Sequence, residues 1–232
     1  TGLVISRSSH PQDSRWDAAK SEMLTLIRDG IAINPHYRKL TPMVADALAS
    51  WGDWKNAIWI WESVLQSRPN VVVVMTNIAR GYLQIGNPEK AREYLERAKR
   101  VQPIAVAVNS LEVTYLNQTG RSSEAAQRAQ QLLAAGIVDR ELVQTAYGLG
   151  TRLHRPDLAV LAMEAGIKAW PARAVDGWLK LGDIYASPDS RDDRKAIESY
   201  SRALAASSLA YRASVLAQIP KQYQTEVQQR QP

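Results

Sequence analysis

The 232-residue chain contains no cysteine and no phenylalanine. The absence of Cys excludes disulfide bonds, thiol nucleophiles and cysteine-ligated zinc. It fits an oxidising compartment such as a bacterial periplasm, but cytoplasmic domains can lack Cys as well. Without Phe, the seven Trp and nine Tyr residues must join Leu, Ile, Val and Ala in the core. No stretch approaches 18 consecutive apolar residues, so the sequence contains no candidate membrane-spanning helix.

Patterns that carry catalysis or bind metals are also missing. The three histidines, His10, His36 and His154, lie far apart in the sequence, and no Ser or carboxylate motif surrounds them. There is no H-x-x-x-H pair for zinc, no P-loop and no G-x-G-x-x-G fingerprint. We therefore predict that this chain is not an enzyme and has no catalytic residue, metal site or cofactor.

The charges are dispersed along the chain. Lys and Arg number 29 against 23 Asp and Glu, which gives a net charge of +6. No run of five or more basic residues occurs, and no nucleic-acid-binding motif accompanies the excess of positive charge. We predict that the chain does not bind nucleic acid.

A 34-residue period organises most of the sequence. Positions 34 apart carry related residues: first Gly52, Gly86, Gly120 and His154; then Ala57, Ala91, Ala125 and Ala159; then Pro69 and Pro103, with Pro171 two steps further on. A helix–turn–helix unit of this length is the signature of the tetratricopeptide repeat. The sequence thus resembles that family, which implies an all-α, right-handed superhelical solenoid of about five repeats.

The same register predicts the domain organisation. Residues 1–14 form a linker or extended arm, and a helix spans about 16–33. A single repeat domain covers 15–219, with units at about 38–71, 72–105, 106–139, 140–173 and 175–210. A helix at 209–218 caps its open end. The polar tail, residues 220–232, is either one more short helix or frayed.

Residues at the turns match helix-capping preferences. Asp53, Asn87 and Ser122 stand where a side-chain oxygen would accept hydrogen bonds from free amide groups at a helix N-terminus. Pro88 and Pro156 fall at first helical positions, where the missing N–H has no cost. These residues predict where second helices begin.

The first helix of each repeat lines the concave surface in this fold, and here it carries many neutral polar side chains. We predict a groove for an extended peptide or a polymeric glycan, both of which need neutral donors and acceptors. The alternative is an ordinary polar lining without a ligand. The predicted groove residues are Thr76, Asn77, Arg80, Gln84, Ser110, Thr114, Asn117, Gln144, Thr145 and Arg152, with Lys180 and Asp183 at equivalent positions and Arg38 and Lys39 at the start.

Tryptophan is concentrated in one helical hairpin. Trp61 occupies the position of the core aromatic residue, and Trp59, two residues earlier, cannot face the same side of the helix. Exposed Trp is enriched at contact surfaces. We therefore predict that Trp51, Trp54 and Trp59 form an aromatic partner-binding surface. The alternative is that the 16–33 helix or the N-terminal arm covers Trp54 and Trp59.

The stretch INPHYRKLTPMVADALASWGDWKNAIWIWESVLQSRP resembles a narrower family. It is similar to the C-terminal region of bacterial O-antigen ligase/polymerase and protein O-oligosaccharyltransferase membrane proteins, over about residues 30–205. The resemblance implies a non-catalytic accessory domain on the periplasmic side of the inner membrane, as part of a larger glycosyltransferase. Its partner would be a protein, an extended peptide or the glycan. None of that family's catalytic residues falls on this chain.

A second reading remains open. The alternative to a membrane-attached domain is a free-standing, peptide-binding scaffold, assembly factor or co-chaperone, in the cytoplasm or free in the periplasm. The sequence leaves open the identity of the ligand, the oligomeric state and the choice between the groove and the Trp-rich surface.

Overall fold

The computed structural model of this chain describes residues 14–33 and 41–230. These residues form thirteen α-helices and two short 3-10 helices, and they contain no strand. The predicted arm lies outside the described residues except for Ser14, which begins the first helix. His10, His36, Arg38 and Lys39 also lie outside them.

The chain divides into two compact units, with the boundary between Gln102 and Pro103. The prediction of one domain across 15–219 stays a prediction, and each unit is described by itself. The first unit contains α1 (Ser14–Ile33), α2 (Thr41–Ser50), α3 (Trp54–Ser67), α4 (Val72–Gln84) and α5 (Pro88–Val101).

The second unit contains the remaining helices. They are α6 (Val106–Gln118), α7 (Ser122–Ala134), α8 (Arg140–Arg152), α9 (Pro156–Ala169), a 3-10 turn (Pro171–Arg173), α10 (Ala174–Ala186), α11 (Asp193–Ala206), a second 3-10 turn (Leu209–Tyr211), α12 (Arg212–Gln218) and α13 (Lys221–Gln229). No helix among the described residues is both long and apolar enough to cross a bilayer.

The turns inside the helix pairs repeat one geometry. Gly52, Gly86 and Gly120 have φ angles of 84°, 74° and 82°, and His154, one period later, has a φ of 53°. This left-handed conformation ends a helix without penalty at glycine. At His154 the Cβ makes the same turn unfavourable by roughly 1 kcal/mol. The predicted 34-residue register is therefore visible in the backbone.

Helix caps confirm most of the predicted starts and correct one. Asp53 and Asn87 accept backbone hydrogen bonds at the N-termini of α3 and α5. Pro88 and Pro156 are the first residues of α5 and α9. The prediction for Ser122 is wrong: the cap is Arg121, which makes no side-chain cap bond. Stepping 34 residues from Asn87 leads to position 121, so the Ser lies one residue too late.

Small residues hold the helices of each pair together. The four alanines of the repeat are at most 1% exposed. Larger side chains fill the space between pairs: Trp61 and Leu95 in the first unit, and Tyr200 near the end of the second, are all at most 2% exposed. One helix pair cannot bury its apolar face alone, so stacking against the next pair completes the core.

The C-terminal segment belongs to the core of the second unit. Val215 of α12 and Ile219, which follows that helix, pack with Tyr223 and Val227 of α13 in the cluster that contains Tyr200. The Tyr223 hydroxyl donates a hydrogen bond to Asp193 at 2.5 Å. Residues 221–229 therefore form the short helix that the sequence left as an alternative to a frayed tail.

Candidate functional site

The predicted groove residues of the first unit do not form a free polar surface. Thr76 is 1% exposed and its hydroxyl donates to the Val73 carbonyl at 2.9 Å, so the prediction that it lines a groove is corrected. The Asn77 side chain donates to Asp46 at 3.4 Å and accepts from Arg80 at 3.0 Å. Gln84 is exposed. Most of this set is thus occupied by contacts within the unit.

In the second unit, the predicted residues of α6 bind α8. Ser110 is fully buried and donates to Asp139 at 2.6 Å, so its assignment to an open groove is also corrected. The Thr114 hydroxyl donates to Glu141 at 2.9 Å. These bonds attach α6 to the N-terminal end of α8. Ser110 and Thr114 therefore fit the alternative stated above, an ordinary polar lining without a ligand.

The same holds at the opposite end of α8. Arg152 donates to the Asn117 side-chain oxygen at 2.5 Å and to Ser122 at 3.3 Å. Of the remaining predicted residues, Thr145 is half-buried and Gln144 is exposed. Ligand binding by these residues stays a prediction. Gln144 lines one of the two pockets described next, as do Lys180 and Asp183, which were predicted at equivalent positions of the repeat.

An open groove lies between α8 and α10, with α9 as its floor. Its α8 wall is formed by residues 140, 144, 147 and 151, and its α10 wall by residues 176, 180, 183 and 187. Both series follow the spacing of four, three and four residues that places side chains on one helix face. Two pockets therefore lie end to end in a single groove, about seven residues of α8 apart.

The first pocket, which we call the basic pocket, has a volume of about 190 Å³. Val143, Met163, Ile167 and Trp170 give it an apolar floor, and Arg140, Arg173 and Lys180 outnumber Asp176 at its rim. The Arg140 guanidinium lies 5.8 Å from the centre of the Trp170 ring. The electrons of the ring attract a cation at this distance, so Arg140 and Trp170 hold each other at the rim of the pocket.

The second pocket, which we call the acidic pocket, has a volume of about 200 Å³. Asp183 and Asp189 lie at its rim, and no Lys or Arg lines it. Asp183 accepts a hydrogen bond from the Tyr200 hydroxyl at 2.7 Å, and Asp189 lies 2.8 Å from Nδ1 of His154. Both carboxylates are exposed, so each retains oxygen lone pairs that can accept from a ligand.

Tyr147 and Lys180 separate the two pockets. The Lys180 ammonium lies 5.4 Å from the centre of the Tyr147 ring and 3.0 Å from Asp176. Burial raises the pKa of Tyr147, while the Lys180 charge acts in the opposite direction and Asp183 adds to the increase. Tyr147 therefore lies in the field of the charges on both sides of it.

Close approach of helices shapes the groove. A Cβ on Gly150 would lie 2.6 Å from the Ala159 backbone nitrogen, and one on Gly177 would lie 2.7 Å from Ile167. A Cβ on Gly166 would meet Val143 at 3.2 Å. At Gly150 and Gly177 the lack of a side chain lets neighbouring helices come closer than alanine would permit.

The tryptophans of the first unit are partly covered. Trp61 is 2% exposed and donates to Asp46 at 3.2 Å, as expected for the core position. Arg28 of α1 lies 5.1 Å from the Trp59 ring centre, so α1 covers part of this surface. The Trp54 ring lies beside Gly81 of α4, and Trp51 is half-buried. Partner binding by Trp51, Trp54 and Trp59 stays a prediction.

The first unit also contains a carboxylate shared by two tyrosines. Glu62 accepts hydrogen bonds from Tyr82 at 2.8 Å and from Tyr94 at 3.0 Å. The two rings stack, with centroids 5.9 Å apart. Burial, reinforced by the Glu62 charge, raises the pKa of Tyr82 to about 12 and raises that of Tyr94 as well. This cluster joins α3, α4 and α5.

Sequence reasoning missed several residues of the groove. Arg140 is the first residue of α8, Trp170 follows the last residue of α9, and Arg173 lies in the 3-10 turn. These positions lie outside the set that the repeat places on the concave face. Two signals were available: a Trp directly before Pro171, and glycines inside predicted helices. Among the described residues, no group of three His, Asp or Glu side chains is placed to hold a metal ion.

Comparison with known proteins identifies the fold. No family model matches the chain, and no curated protein matches it. Similar solved structures include a tetratricopeptide repeat protein from Parabacteroides merdae ATCC 43184, with a TM-score of 0.57, 13% identity, and coverage of 88% of this chain and 79% of that one. MamA matches with a TM-score of 0.54 and 18% identity, covering 78% of this chain and 96% of its own.

A third similar structure is PilW, described as a widely conserved type IV pilus biogenesis factor. Its TM-score is 0.54 and its identity 15%, with coverage of 84% of this chain and 91% of that one. At these identities the likeness establishes the fold alone. The predicted fold class, an all-α solenoid of tetratricopeptide-like repeats, is confirmed.

Proposed function

We propose that this chain is a non-catalytic scaffold that binds an extended peptide segment of a partner protein in the groove between α8 and α10. The groove itself carries the proposal. It combines an apolar floor at Met163, Ile167 and Trp170 with charged rims, and it contains two pockets in line. Interfaces that bind protein chains share this arrangement of an apolar centre and a polar rim.

The size of the pockets favours a peptide over a small-molecule ligand. Each is about 200 Å³ or less, below the roughly 300–1,000 Å³ of typical small-molecule sites. Two small pockets in line suit the side chains of one extended chain. The charged rims also favour a peptide over a neutral glycan, which would require neutral donors and acceptors.

That this chain is the C-terminal domain of a protein like the O-antigen ligases remains a proposal. It rests on the sequence around residues 33–103, and no feature of the described helices distinguishes a membrane-attached domain from a free one. Periplasmic localisation is likewise a proposal that rests on this sequence resemblance. Ten or so hydrophobic segments encoded upstream of Thr1 would support attachment to a membrane protein, whereas a plain Met start or a signal peptide directly before Thr1 would contradict that attachment.

A role as an assembly factor fits the peptide-binding proposal. PilW, a pilus biogenesis factor, has the same fold, and this likeness supports such a role only through the fold. A scaffold of this type holds a partner without reacting with it, which agrees with the predicted absence of catalytic residues.

The experiment titrates the full chain with a permanently unfolded protein and, separately, with a polymeric glycan, by isothermal calorimetry. We expect the unfolded protein to bind and Gln144→Trp, which fills the groove, to weaken binding at least tenfold. Gln131→Trp, on the exposed face of α7, is the matched control and should bind like the wild type. Binding of the glycan but not of the protein would contradict the proposal.

A further inference from the structure

The two pockets of the α8–α10 groove have opposite charge. The basic pocket has Arg140, Arg173 and Lys180 against one carboxylate. The acidic pocket has Asp183 and Asp189 and no lysine or arginine. A groove that required only apolar contacts would not need this separation of charge along its axis.

The distance between the pockets sets a spacing. Their α8 walls are seven residues apart, for example at positions 144 and 151. At 1.5 Å per residue this corresponds to about 10 Å. A peptide in the polyproline II conformation advances about 3.1 Å per residue with three residues per turn, so its side chains three positions apart lie on one face, about 9 Å apart, and would reach the two pockets.

We propose that the groove selects peptides with an acidic and a basic side chain three residues apart, and that an apolar residue beside the acidic one packs on Trp170. This inference rests on the proposed function and specifies its ligand. The acidic side chain enters the basic pocket, where Arg173 and Lys180 contact it. The basic side chain enters the other pocket, where the two carboxylates accept its hydrogen bonds.

Charge complementarity selects this occupant over others. A peptide with two acidic residues would place one of them beside Asp183 and Asp189, and a peptide with two basic residues would place one beside the three cations. Like charges across a contact are unfavourable, so both peptides are disfavoured. The ion pairs lie at exposed rims, so added salt must weaken them.

The test measures fluorescence polarisation of labelled octapeptides against the full chain. The peptides carry Glu-x-x-Lys, Glu-x-x-Glu or Lys-x-x-Lys in an otherwise identical sequence, together with Glu-Lys and Glu-x6-Lys spacing controls. We expect Glu-x-x-Lys to bind about tenfold tighter than the others. Replacing an opposite-charge contact at an exposed rim by a like-charge contact changes the affinity by about that factor. The preference should decline in high salt.

A charge-reversing variant keeps the test independent of folding. Asp189→Lys places an ammonium group beside Asp183 and leaves the acidic pocket with no net charge, so Glu-x-x-Lys should bind no tighter than Glu-x-x-Glu while both peptides still bind. A damaged fold could lose binding but could not produce this change. Glu124→Lys, on the exposed part of α7, adds the same charge outside the groove and should leave the preference unchanged.

The outcomes separate the two proposals. Equal binding of all five peptides would overturn the charge-spacing inference and leave a peptide-binding scaffold intact. No binding of any octapeptide would also overturn the inference, and the calorimetric titration with unfolded protein would then decide the proposed function independently. An unchanged preference in Asp189→Lys would show that the acidic pocket does not contact the peptide.

Discussion

The first unit and the α8–α10 region of the second differ at matching positions of the repeat. Two steps of 34 residues lead from Tyr82 to Gly150 and from Ala98 to Gly166, and three steps lead from Met75 to Gly177. In the first unit these positions pack closely: Met75 and Ala98 are at most 1% exposed, and Tyr82 bonds to Glu62. In the second unit the three glycines border the open groove.

Both regions preserve the register while using it differently. The first unit closes the space between its helices with stacked tyrosines and a shared carboxylate. The second brings helix backbones together at Gly150 and leaves a channel beside that contact. At matching positions of the repeat, buried side chains therefore pack the first unit, whereas glycines border the candidate site in the second.

The largest expected effect is at Gly150. We predict that Gly150→Ala lowers the free energy of unfolding by about 2–3 kcal/mol, because the added methyl group would lie 2.6 Å from the Ala159 backbone. Chemical denaturation of the full chain measures it. In the same helix, Gly148 has open space around it, so Gly148→Ala should increase stability by about 0.5–1 kcal/mol. Equal effects of the two changes would show that helix α8 does not approach α9 closely.

The next effect concerns the tyrosine cluster of the first unit. Glu62→Gln should lower the free energy of unfolding by about 1–2 kcal/mol, because it removes the negative charge of the group that accepts two hydrogen bonds. The surface pair of Glu93 with Lys90 provides the control. Glu93→Gln should change stability by less than about 0.5 kcal/mol. Thermal and urea unfolding of both variants give the comparison.

The pH dependence of stability checks the same cluster. The folded-state pKa of Tyr82 is about 12, above its ordinary value of 10.0. The stabilisation that accompanies this difference is therefore complete below pH 10 and is lost as the pH rises toward 12. Tyr82→Phe should lose less stability than the wild type between these pH values. An identical decline in the two proteins would contradict the assignment.

Helix caps give a smaller contrast. Asn87→Ala should cost about 1 kcal/mol, because Asn87 accepts the Lys90 amide hydrogen bond at the start of α5. Ser122→Ala should remain within about 0.5 kcal/mol, because Ser122 lies inside α7 and does not cap it. Denaturant midpoints of the two variants test this difference. A larger effect at Ser122 than at Asn87 would support the prediction from the sequence that Ser122 is the N-cap.

The smallest effect concerns the cover over Trp59. Arg28→Ala should lower stability by about 0.5 kcal/mol and increase acrylamide quenching of tryptophan fluorescence, because α1 would lose its contact with the Trp59 ring. Arg92→Ala, on an exposed position of α5, is the control. Unchanged quenching in Arg28→Ala would indicate that α1 does not shield this tryptophan.

The 34-residue period was sufficient to predict the helix pairs, their turns and the buried alanines, because these follow from local backbone geometry and from the close approach of two helices. It was not sufficient to predict the groove. Each helical residue turns by 100°, so an error of one position moved Thr76 from a surface to the core. The Ser110 hydroxyl is occupied by a hydrogen bond to Asp139, the residue that caps the N-terminus of α8.

Residues outside the regular positions also escaped prediction. Arg140, Trp170 and Arg173 meet because a helix start, a helix end and a 3-10 turn come together at one end of the groove. The sequence contains these residues but not their proximity, which depends on how α8, α9 and α10 pack. The glycines of this region were visible in the sequence, yet their role is apparent only from the neighbouring atoms.

Mapping the peptide on the protein tests the central comparison most directly. The full chain, labelled with ¹⁵N, is titrated with the Glu-x-x-Lys octapeptide, and the amide shifts of its glycines are followed. We predict concentration-dependent shifts at the groove glycines and none in the first unit; the groove set is Gly150, Gly166 and Gly177, and the reference set is Gly81 and Gly86. Shifts at Gly81 and Gly86 that equal or exceed those of the groove set would contradict the account.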